Sequence, residues 1–496
     1  MRSIKKLVCL TLAAFMCLSM LISCQKDKSG EQSTPETQSS PLTEESTEQS
    51  TENITENITE EITTSEQEEY MVIYEPPKRP TFRLVHDKIP DQAMIAEADM
   101  IATIFKNYTG YKLTVDNSSK KSNNEIILSS KRRPETAQML EDLKEGEYAI
   151  KVIRGENIGD GKLLLATTTY GSAYACMKYL METYYTKEKG LLIPYDLDIV
   201  GHEKEYTMIE SDIKKLRDPC IVVDNGVYYA YGTGWHCYKN TSGNLEGPWV
   251  DLGVVASVAN QETDGGSHWA PEVHRYNGYF YMFTTYYNSL TDHRGCIILR
   301  SDSPEGPFVE ITNGHITPAE WDCIDGTLYI DPDGQPWMVF VHEWTCMPDG
   351  VGSFAAAKLS PDLTHFISEP IELFKADEPT WAVSGVTDGC WMYTTKDGEL
   401  LMLWSNFDAD GYVVAVAKSS NGRLDGEWIH ESELLYSQYM TGEYDGGHAM
   451  IFTDTDGQMY LSFHSPNTAQ DDRKEKPVFL AIEEKDGKLV WADKND

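Results

Sequence analysis

Short runs that alternate apolar and polar residues fill the second half of the chain, and turn sequences separate them. In the first cassette a β-branched run at residues 220–223 is followed by an Asp-Asn-Gly turn, and residues 227–233 return with alternating aromatic and small side chains. Such a turn between two alternating runs predicts an antiparallel β-hairpin. Because Pro219 cannot donate to a sheet ladder, Asp218 should lie at the start of the strand, where its side chain can face a cavity.

The same cassette returns four more times, with turns of similar sequence. These turns are Tyr276-Asn277-Gly278, Asp331-Pro332-Asp333-Gly334, Lys396-Asp397-Gly398 and Asp454-Thr455-Asp456-Gly457. A second element, Gly-Pro-aromatic or Gly-x-Trp, follows several hairpins, at residues 247–249, 306–308 and 426–428. Five cassettes predict a mainly β fold, a five-bladed β-propeller over residues 211–496. A β-sandwich is the alternative, but sandwiches rarely repeat both elements.

Residues 70–206 carry a mixed pattern that predicts a smaller α+β domain before the propeller. Helical periodicity is found at residues 92–108 and 169–185, and short apolar runs typical of strands at 125–128, 148–153 and 163–166. We expect this domain to pack against the propeller, with direct sugar binding as the alternative role.

The first 24 residues have the pattern of a signal peptide. A basic start precedes an apolar run at residues 7–22, and the segment ends in Leu21-Ile22-Ser23-Cys24, which resembles a bacterial lipobox. The run is shorter than the roughly 20 residues that a membrane span requires. We therefore expect Cys24 to be lipidated and the protein to be a lipoprotein on the extracellular face of a bacterial membrane.

Residues 25–69 consist mainly of Ser, Thr, Glu and Gln, which predicts a disordered acidic tether because so few apolar side chains cannot offset the cost of ordering. The formal net charge of the whole chain is −37. Nucleic acid is therefore not an expected partner, and membrane contact is expected only through the lipid anchor.

The cysteines after Cys24 are odd in number, lie on different cassettes and form no C-x-x-C pair. This distribution fits neither a disulfide framework nor a zinc site, and mostly free, buried thiols are expected. We also expect a monomer.

Four motifs carry a resemblance to a known family. They are Arg217-Asp218-Pro219, Trp269-Ala270-Pro271-Glu272-Val273, Ile324-Asp325-Gly326-Thr327 and Gly446-Gly447-His448. In this order and at this spacing, residues 211–496 resemble glycoside hydrolase family 43, five-bladed propellers that cleave arabinose-, xylose- or galactose-type sugars with inversion. The N-terminal α+β unit resembles the small accessory domain of other glycosidases.

The resemblance implies a role for each of two carboxylates. Inverting hydrolysis needs a base that activates water and an acid that protonates the leaving oxygen, with the two carboxyl groups about 6.5–9.5 Å apart. Asp218 matches the family's general base. Asp325 matches the carboxylate that orients the sugar and raises the pKa of the acid by its charge.

The acid departs from the family pattern, because Asp388 stands in Val386-Thr387-Asp388-Gly389 where the family commonly has Glu-Gly-Pro. An Asp retracts the proton donor by roughly 1 Å, and a misplacement of that size can cost about a hundredfold in rate. Three alternatives follow. Asp388 is the acid on an adjusted backbone, or Glu343 or Glu443 has taken the role, or catalysis is weak and the domain mainly binds.

The resemblance also suggests residues that bind substrate or metal. His448 matches a channel histidine that often faces a water-bound calcium ion, so structural calcium is possible although no cofactor is required. The candidates for sugar contact are Trp235, His268, Trp269, Glu272, Trp344 and Trp381.

Together these patterns predict an inverting exo-glycosidase that removes terminal arabinofuranosyl groups from an oligosaccharide or polysaccharide, with xylosyl and galactosyl groups as rivals. The alternative is a carbohydrate-binding surface lipoprotein with an impaired site. A structural propeller that binds proteins is a third possibility.

Overall fold

The computed structural model describes residues 69–117, 122–129, 131, 133–470 and 472–494. The predicted signal peptide, Cys24 and nearly all of the predicted tether therefore lie outside the described residues. The described residues belong to one compact unit. The domain boundary expected at residues 206–211 stays a prediction.

The N-terminal part is an α+β layer structure. Its main sheet has the order β3-β2-β4-β6-β5-β9, and a small sheet has the order β1-β8-β7. The strands are β1 Tyr70–Tyr74, β2 Arg83–Val85, β3 Thr114–Asp116, β4 Asn124–Leu128, β5 Glu147–Arg154, β6 Gly161–Thr167, β7 Tyr185–Thr186, β8 Gly190–Pro194 and β9 Asp198–His202, and the helices are α1 Gln92–Thr109, α2 Pro134–Glu141 and α3 Tyr170–Tyr184.

Local signals explain where the two long helices begin and end. The Asp91 side chain accepts a hydrogen bond from the Met94 amide at the start of α1, and Gly110 ends the helix in the left-handed conformation at φ 76°. At the start of α3, Thr169 and Ser172 form a reciprocal capping box. These caps place both helices within a residue or two of the predicted ranges.

The rest of the chain forms five antiparallel or mixed sheets arranged as blades. The first blade consists of β11 Cys220–Asp224, β12 Val227–Gly232, β13 His236–Asn240 and β14 Val250–Val254, and the second of β15 Ala256–Ser257, β16 Trp269–Tyr276, β17 Tyr279–Asn288, β18 His293–Ser301 and β19 Phe308–Glu310. The third blade consists of β20 Cys323–Ile330, β21 Pro336–His342, β22 Ser353–Lys358 and β23 Ile371–Lys375. The fourth consists of β24 Asp388–Thr394, β25 Leu400–Phe407, β26 Tyr412–Ser419 and β27 Trp428–His430.

The fifth blade joins the two ends of the propeller. Its strands are β28 Gly447–Thr453, β29 Met459–Ser465, β30 Lys476–Lys485 and β31 Lys488–Trp491, and β10 Met208–Glu210 pairs with β30 from the other end of the chain. The five inner strands contact one another in the cyclic order β11, β16, β20, β24, β28 and back to β11. This closed ring confirms the predicted propeller and puts the beginnings of all five inner strands around one channel.

The N-terminal helices pack on the fourth and fifth blades. The side chains of Lys178 and Tyr174 on α3 both contact Glu433, with Tyr174 donating its hydroxyl at 2.9 Å. Thr380 donates to the carbonyl of Asn107 on α1 at 2.7 Å. The contact segments on the propeller are connections at the end where the inner strands begin, close to α4 Gln438–Thr441.

The seven described cysteines are all free, and every one except Cys346 is buried. This finding confirms the expectation of mostly free, buried thiols. In the part of the chain that the structure describes, no helix has the length and apolar character needed to cross a membrane.

Candidate active site

The inner strands share one unusual backbone feature where they begin. At the equivalent position of each blade one residue has a left-handed φ: Asp218 54°, Ala270 42°, Asp325 55°, Gly389 55° and His448 56°. Residues other than glycine rarely adopt this conformation, and such residues concentrate at functional sites. Three of the five carry ionisable side chains, so the fivefold repeat itself brings them together.

His448 lies between two carboxylates in the channel. Its Nδ1 is 3.3 Å from Oδ1 of Asp218 and 3.8 Å from Oδ2 of Asp325. The three residues are 4 %, 6 % and 3 % exposed, respectively. Gly389 leaves room for this arrangement, because a Cβ there would stand 2.8 Å from the imidazole ring of His448.

Asp218 is held as a carboxylate. Its Oδ2 accepts a hydrogen bond from the Thr233 hydroxyl, and its amide donates to Nδ1 of His464 at 3.2 Å. Burial tends to raise the pKa of Asp218, but the neighbouring His448 and the charge of Arg217 help to hold it well below its usual range. Arg217 itself forms hydrogen bonds with Asn467. A deprotonated, buried carboxylate of this kind can accept a proton from water.

Asp325 is held from two sides by backbone contacts. The amide of Gly389 donates to its Oδ2 at 2.9 Å, and its own amide donates to the Thr285 hydroxyl at 3.0 Å. Burial raises the pKa of Asp325 well above its usual value, and the charge of Asp218 adds to the effect, against the Gly389 hydrogen bond.

Asp388 reaches the same cluster, because it immediately precedes Gly389 at the start of β24. It is partly exposed, and its Oδ2 accepts a hydrogen bond from the Tyr412 hydroxyl at 3.0 Å. Burial, and then the charge of Asp325, raise the pKa of Asp388 to about 7. A carboxyl group with this pKa can hold a proton at neutral pH, as a general acid must.

The two other candidate acids have different surroundings. Glu343 is 3 % exposed, and its Oε2 lies 2.6 Å from Nε of Arg294, so it is engaged in an ion pair. Glu443 is exposed on the segment after α4. The geometry favours Asp388, whose catalytic role stays a prediction.

The candidate sugar-binding residues of the first and second blades separate into partly exposed and buried groups. Trp235 is 1 % exposed, donates its Nε1–H to the Thr284 hydroxyl at 2.7 Å and stacks on His268 with ring centroids 4.0 Å apart. Trp235 is therefore buried behind His268, which argues against the sugar contact that we expected for it. His268 and Trp269 are partly exposed, and Nε2 of His268 lies 2.7 Å from Oδ1 of Asp264.

Two further candidates for sugar contact have buried side chains, and their contact with sugar stays a prediction that this burial does not favour. Glu272 is 1 % exposed and lies 3.1 Å from Nε2 of His274, and burial raises its pKa to about 8. Trp381 is 1 % exposed and packs 5.2 Å from Trp404 in the core that the N-terminal helices share with the fourth blade. Trp344, in the 3₁₀ helix Trp344–Cys346, is partly exposed and stays a candidate.

The structure also adds residues that the sequence reasoning missed. Thr233, His464 and Tyr412 all contact the cluster, yet they lie 15, 246 and 24 positions from their partners in the chain. Their only signal in the sequence is that each lies close to the end or start of a blade strand.

The calcium ion that the resemblance suggests as possible does not fit the protein groups beside His448 by themselves. Ca²⁺ prefers six to eight oxygen ligands, whereas the described residues contain no group of three or more His, Cys, Asp or Glu side chains that could hold a metal. Nε2 of His448 is buried and has no hydrogen-bond partner in the described part of the chain. Calcium in the channel stays a prediction, and no chemical step here depends on it.

Comparison with known proteins identifies the propeller. Residues 213–487 match the family model described as Glycosyl hydrolases family 43. The solved endo-arabinase from Bacteroides thetaiotaomicron VPI-5482 is 38 % identical, with a TM-score of 0.50, and the match covers 57 % of this chain and 100 % of that chain. A thermostable family-43 glycoside hydrolase, at 21 % identity and a TM-score of 0.50 over 57 % of this chain and 94 % of its own, shows the same fold.

Curated relatives match shorter stretches. The probable arabinan endo-1,5-alpha-L-arabinosidase B of Aspergillus fumigatus (strain CBS 144.89 / FGSC A1163 / CEA10) is 26 % identical over 145 residues, 26 % of this chain. The protein of the same name from Aspergillus oryzae (strain ATCC 42149 / RIB 40) is 33 % identical over 95 residues, 19 % of this chain. The matches span only 39 % and 27 % of the length of these relatives.

Proposed function

Because the chain belongs to glycosyl hydrolases family 43, we propose that it hydrolyses α-L-arabinofuranosyl linkages of arabinan by a single displacement with inversion. The solved relative with 38 % identity is named an endo-arabinase, and the curated relatives are named arabinan endo-1,5-alpha-L-arabinosidases. These names support arabinan over the xylosyl and galactosyl alternatives.

The observation that carries the proposal is the opposite shift of two carboxyl pKa values in one channel. Asp218 is held deprotonated, whereas the pKa of Asp388 is raised to about 7. Environments that separate the pKa values of two nearby carboxyl groups assign one as the base and the other as the acid. In this assignment Asp218 takes a proton from water as the water attacks the anomeric carbon, and Asp388 gives a proton to the departing glycosidic oxygen.

Asp325 supports the acid without exchanging the proton itself. Its carboxyl group is fixed by the Gly389 amide, next to Asp388 in the chain. Burial raises the pKa of both carboxyl groups, and a negative charge on one of them disfavours the loss of the proton from the other.

The position of cleavage along the polymer is a finer part of the proposal. The names of the relatives favour internal cleavage, and we take that as the proposal. Removal of terminal arabinofuranose, expected from the sequence, is the alternative. The products separate the two, because internal cleavage releases a range of oligosaccharides early and terminal cleavage releases only arabinose.

The test uses the purified full-length chain with linear arabinan and with a panel of nitrophenyl glycosides: α-L-arabinofuranoside, β-D-xyloside, β-D-galactofuranoside and β-D-galactopyranoside. Asp218→Asn and Asp388→Asn should each lower the rate on arabinan by about 10²–10⁴-fold, the usual contribution of acid–base catalysis. Asp331→Asn is the control, because Asp331 is a buried carboxylate in the β20–β21 turn, at the far end of its blade.

Proton NMR of the first product should show the inverted anomer. Activity on the xyloside alone would replace the proposed substrate. No cleavage of linear arabinan or of the nitrophenyl glycosides, with retained sugar binding, would favour the alternative function, a carbohydrate-binding surface protein. We further propose that the enzyme works while anchored through Cys24, which metabolic labelling with a lipid precursor and a Cys24→Ala control would test.

A further inference from the structure

Tyr412 makes a direct contact with the proposed acid that no sequence motif points to. Its hydroxyl donates to Oδ2 of Asp388 at 3.0 Å. The two residues begin β26 and β24 of the same blade, and both strands run antiparallel to the β25 strand between them. They therefore emerge at the same end of the blade, which is the end where the channel cluster lies.

The ring of Tyr412 is fixed in this position. The residue is 1 % exposed, its ring lies 5.1 Å from that of Phe407 and 5.8 Å from that of His464, and its amide donates to Oδ2 of Asp445 at 3.2 Å. Gly447 closes the remaining side, because a Cβ there would stand 2.5 Å from the Tyr412 ring. A hydroxyl on a ring held in this way has one defined direction.

The contact makes the two oxygens of the Asp388 carboxyl group different. Oδ2 is taken by Tyr412, whereas Oδ1 has no hydrogen-bond partner in the described part of the chain. A carboxyl group that donates a proton through one oxygen develops negative charge, and a hydrogen bond to a charged acceptor is stronger than one to a neutral acceptor. The Tyr412 contact is therefore stronger in the transition state than before it, which is the requirement for catalysis.

We propose that Tyr412 is a positioning residue that turns the short Asp388 side chain so that Oδ1 delivers its proton to the leaving oxygen. The inference rests on the proposed function, in which Asp388 is the acid. As the bond between the anomeric carbon and the glycosidic oxygen breaks, its electron pair stays on that oxygen, which takes the proton from Oδ1. Water forms the new bond to the carbon and gives its proton to Asp218, while the Tyr412 proton stays on Tyr412.

Ionisable groups from several packed elements surround Asp388 and Tyr412. Those that act on Asp388 include Asp325, His448, Asp218 and Arg217. Those that act on Tyr412 include Asp388, Asp218, Arg217 and Asp325. The variant Tyr412→Phe leaves all of them in place and removes only the donor. Since that donor favours the carboxylate form, its removal raises the pKa of Asp388.

The experiment compares wild type, Tyr412→Phe and Asp388→Asn on glycosides of α-1,5-linked arabinotriose with methyl, 4-nitrophenyl and 2,4-dinitrophenyl leaving groups. For the methyl glycoside, which needs a proton on its leaving oxygen, Tyr412→Phe should lower kcat by about ten- to a hundredfold, the range for a hydrogen bond to a charged group. For the dinitrophenyl glycoside the loss should vanish, because that group leaves without a proton. The alkaline limb of the kcat/KM profile should also move to higher pH.

The matched control is Tyr436→Phe, because Tyr436 is equally buried and donates its hydroxyl to the Tyr444 carbonyl at 2.7 Å, away from Asp388. Its effect should be the same for all three leaving groups. A second variant, Gly447→Ala, keeps the hydroxyl and displaces the ring, and it should reproduce the leaving-group dependence of Tyr412→Phe.

The outcomes separate the two proposals. No activity of the wild type on linear arabinan would refute the proposed function. Activity without leaving-group dependence in Asp388→Asn would refute the assignment of the acid. Leaving-group dependence in Asp388→Asn, with an equal loss on every substrate and an unmoved alkaline limb in Tyr412→Phe, would overturn the positioning role alone.

Discussion

Gly447 stands where the ring of Tyr412 leaves no room for a side chain. A Cβ at this position would lie 2.5 Å from Cε1 and 2.6 Å from Cδ1 of Tyr412, and 2.9 Å from Oγ of Ser405. Its φ is not among the positive values of the chain, so the backbone itself would accept another residue. The glycine is therefore needed for space, and Gly447→Ala tests the packing behind the proposed acid.

The size of the effect follows from these distances. Carbon atoms pack at about 3.5–4.0 Å, so the ring must move by about 1 Å to accept the new methyl group. A shift of that size would lengthen the 3.0 Å contact between the Tyr412 hydroxyl and Asp388 Oδ2 beyond hydrogen-bond range. Overpacking in a full core costs about 1–3 kcal/mol, so the free energy of unfolding should fall by that amount.

Two measurements check the expectation. Urea denaturation gives the free energy of unfolding. Steady-state kinetics on arabinan and on the 2,4-dinitrophenyl glycoside of α-1,5-linked arabinotriose gives kcat with and without the need for an acid. The control is Gly226→Ala, since Gly226 has a φ of 77° and nothing within 4 Å of a new Cβ. That variant should lose about 1–2 kcal/mol through left-handed strain and keep its activity.

The reasoning is refuted if Gly447→Ala unfolds at the wild-type urea concentration and keeps kcat on arabinan. Loss of stability with an equal loss of kcat on both substrates would also contradict it. In that case the substitution would not lower the rate through its effect on proton donation by Asp388.

Two other predictions follow from the charges. Activity on arabinan should fall as the pH rises through about 7, because Asp388 loses its proton there. On the acid side activity should persist to well below the usual Asp range, because the pKa of Asp218 is lowered. A kcat/KM profile with an acid limb at about pH 4 that substitution of Asp218 or Asp388 does not shift would contradict this expectation. Glu125→Gln should destabilise the protein by about 3–5 kcal/mol in urea denaturation, because Glu125 is fully buried between two arginines, whereas Asp198→Asn, which removes an exposed pair with Lys151, should cost at most about 1 kcal/mol; equal costs would refute the distinction.

Elements whose evidence is local were predictable from the chain. The helix expected at residues 92–108 is Gln92–Thr109, and the one expected at 169–185 is Tyr170–Tyr184. The hairpin at the Asp-Asn-Gly turn also forms, with Asp224 paired to Val227. A repeating apolar position and a capping or turn residue lie within a few residues of each other, so these features need no knowledge of the rest of the fold.

The destination of individual aromatic side chains was not predictable in the same way. Trp235, Trp269 and Trp381 all lie near motif residues, yet Trp235 and Trp381 are 1 % exposed and only Trp269 stays partly open. Whether a ring on a connecting segment faces the channel or a neighbouring core depends on the element that packs against it. Trp381 lies in the core that the N-terminal helices share with the fourth blade, and its neighbour Thr380 donates to the carbonyl of Asn107, 273 positions earlier in the chain.

The sequence by itself determined the repeating blades, the four motifs that resemble the family and the residues at which the inner strands begin, because each of these features depends on a short run of residues. Only the tertiary structure decided that His448 stands between Asp218 and Asp325, and that Tyr412 holds Asp388. Closure of the ring through the pairing of β10 with β30 brings together strand ends from distant parts of the chain. The shifts of the carboxyl pKa values result from burial and from these neighbours, so they arise only when the propeller closes.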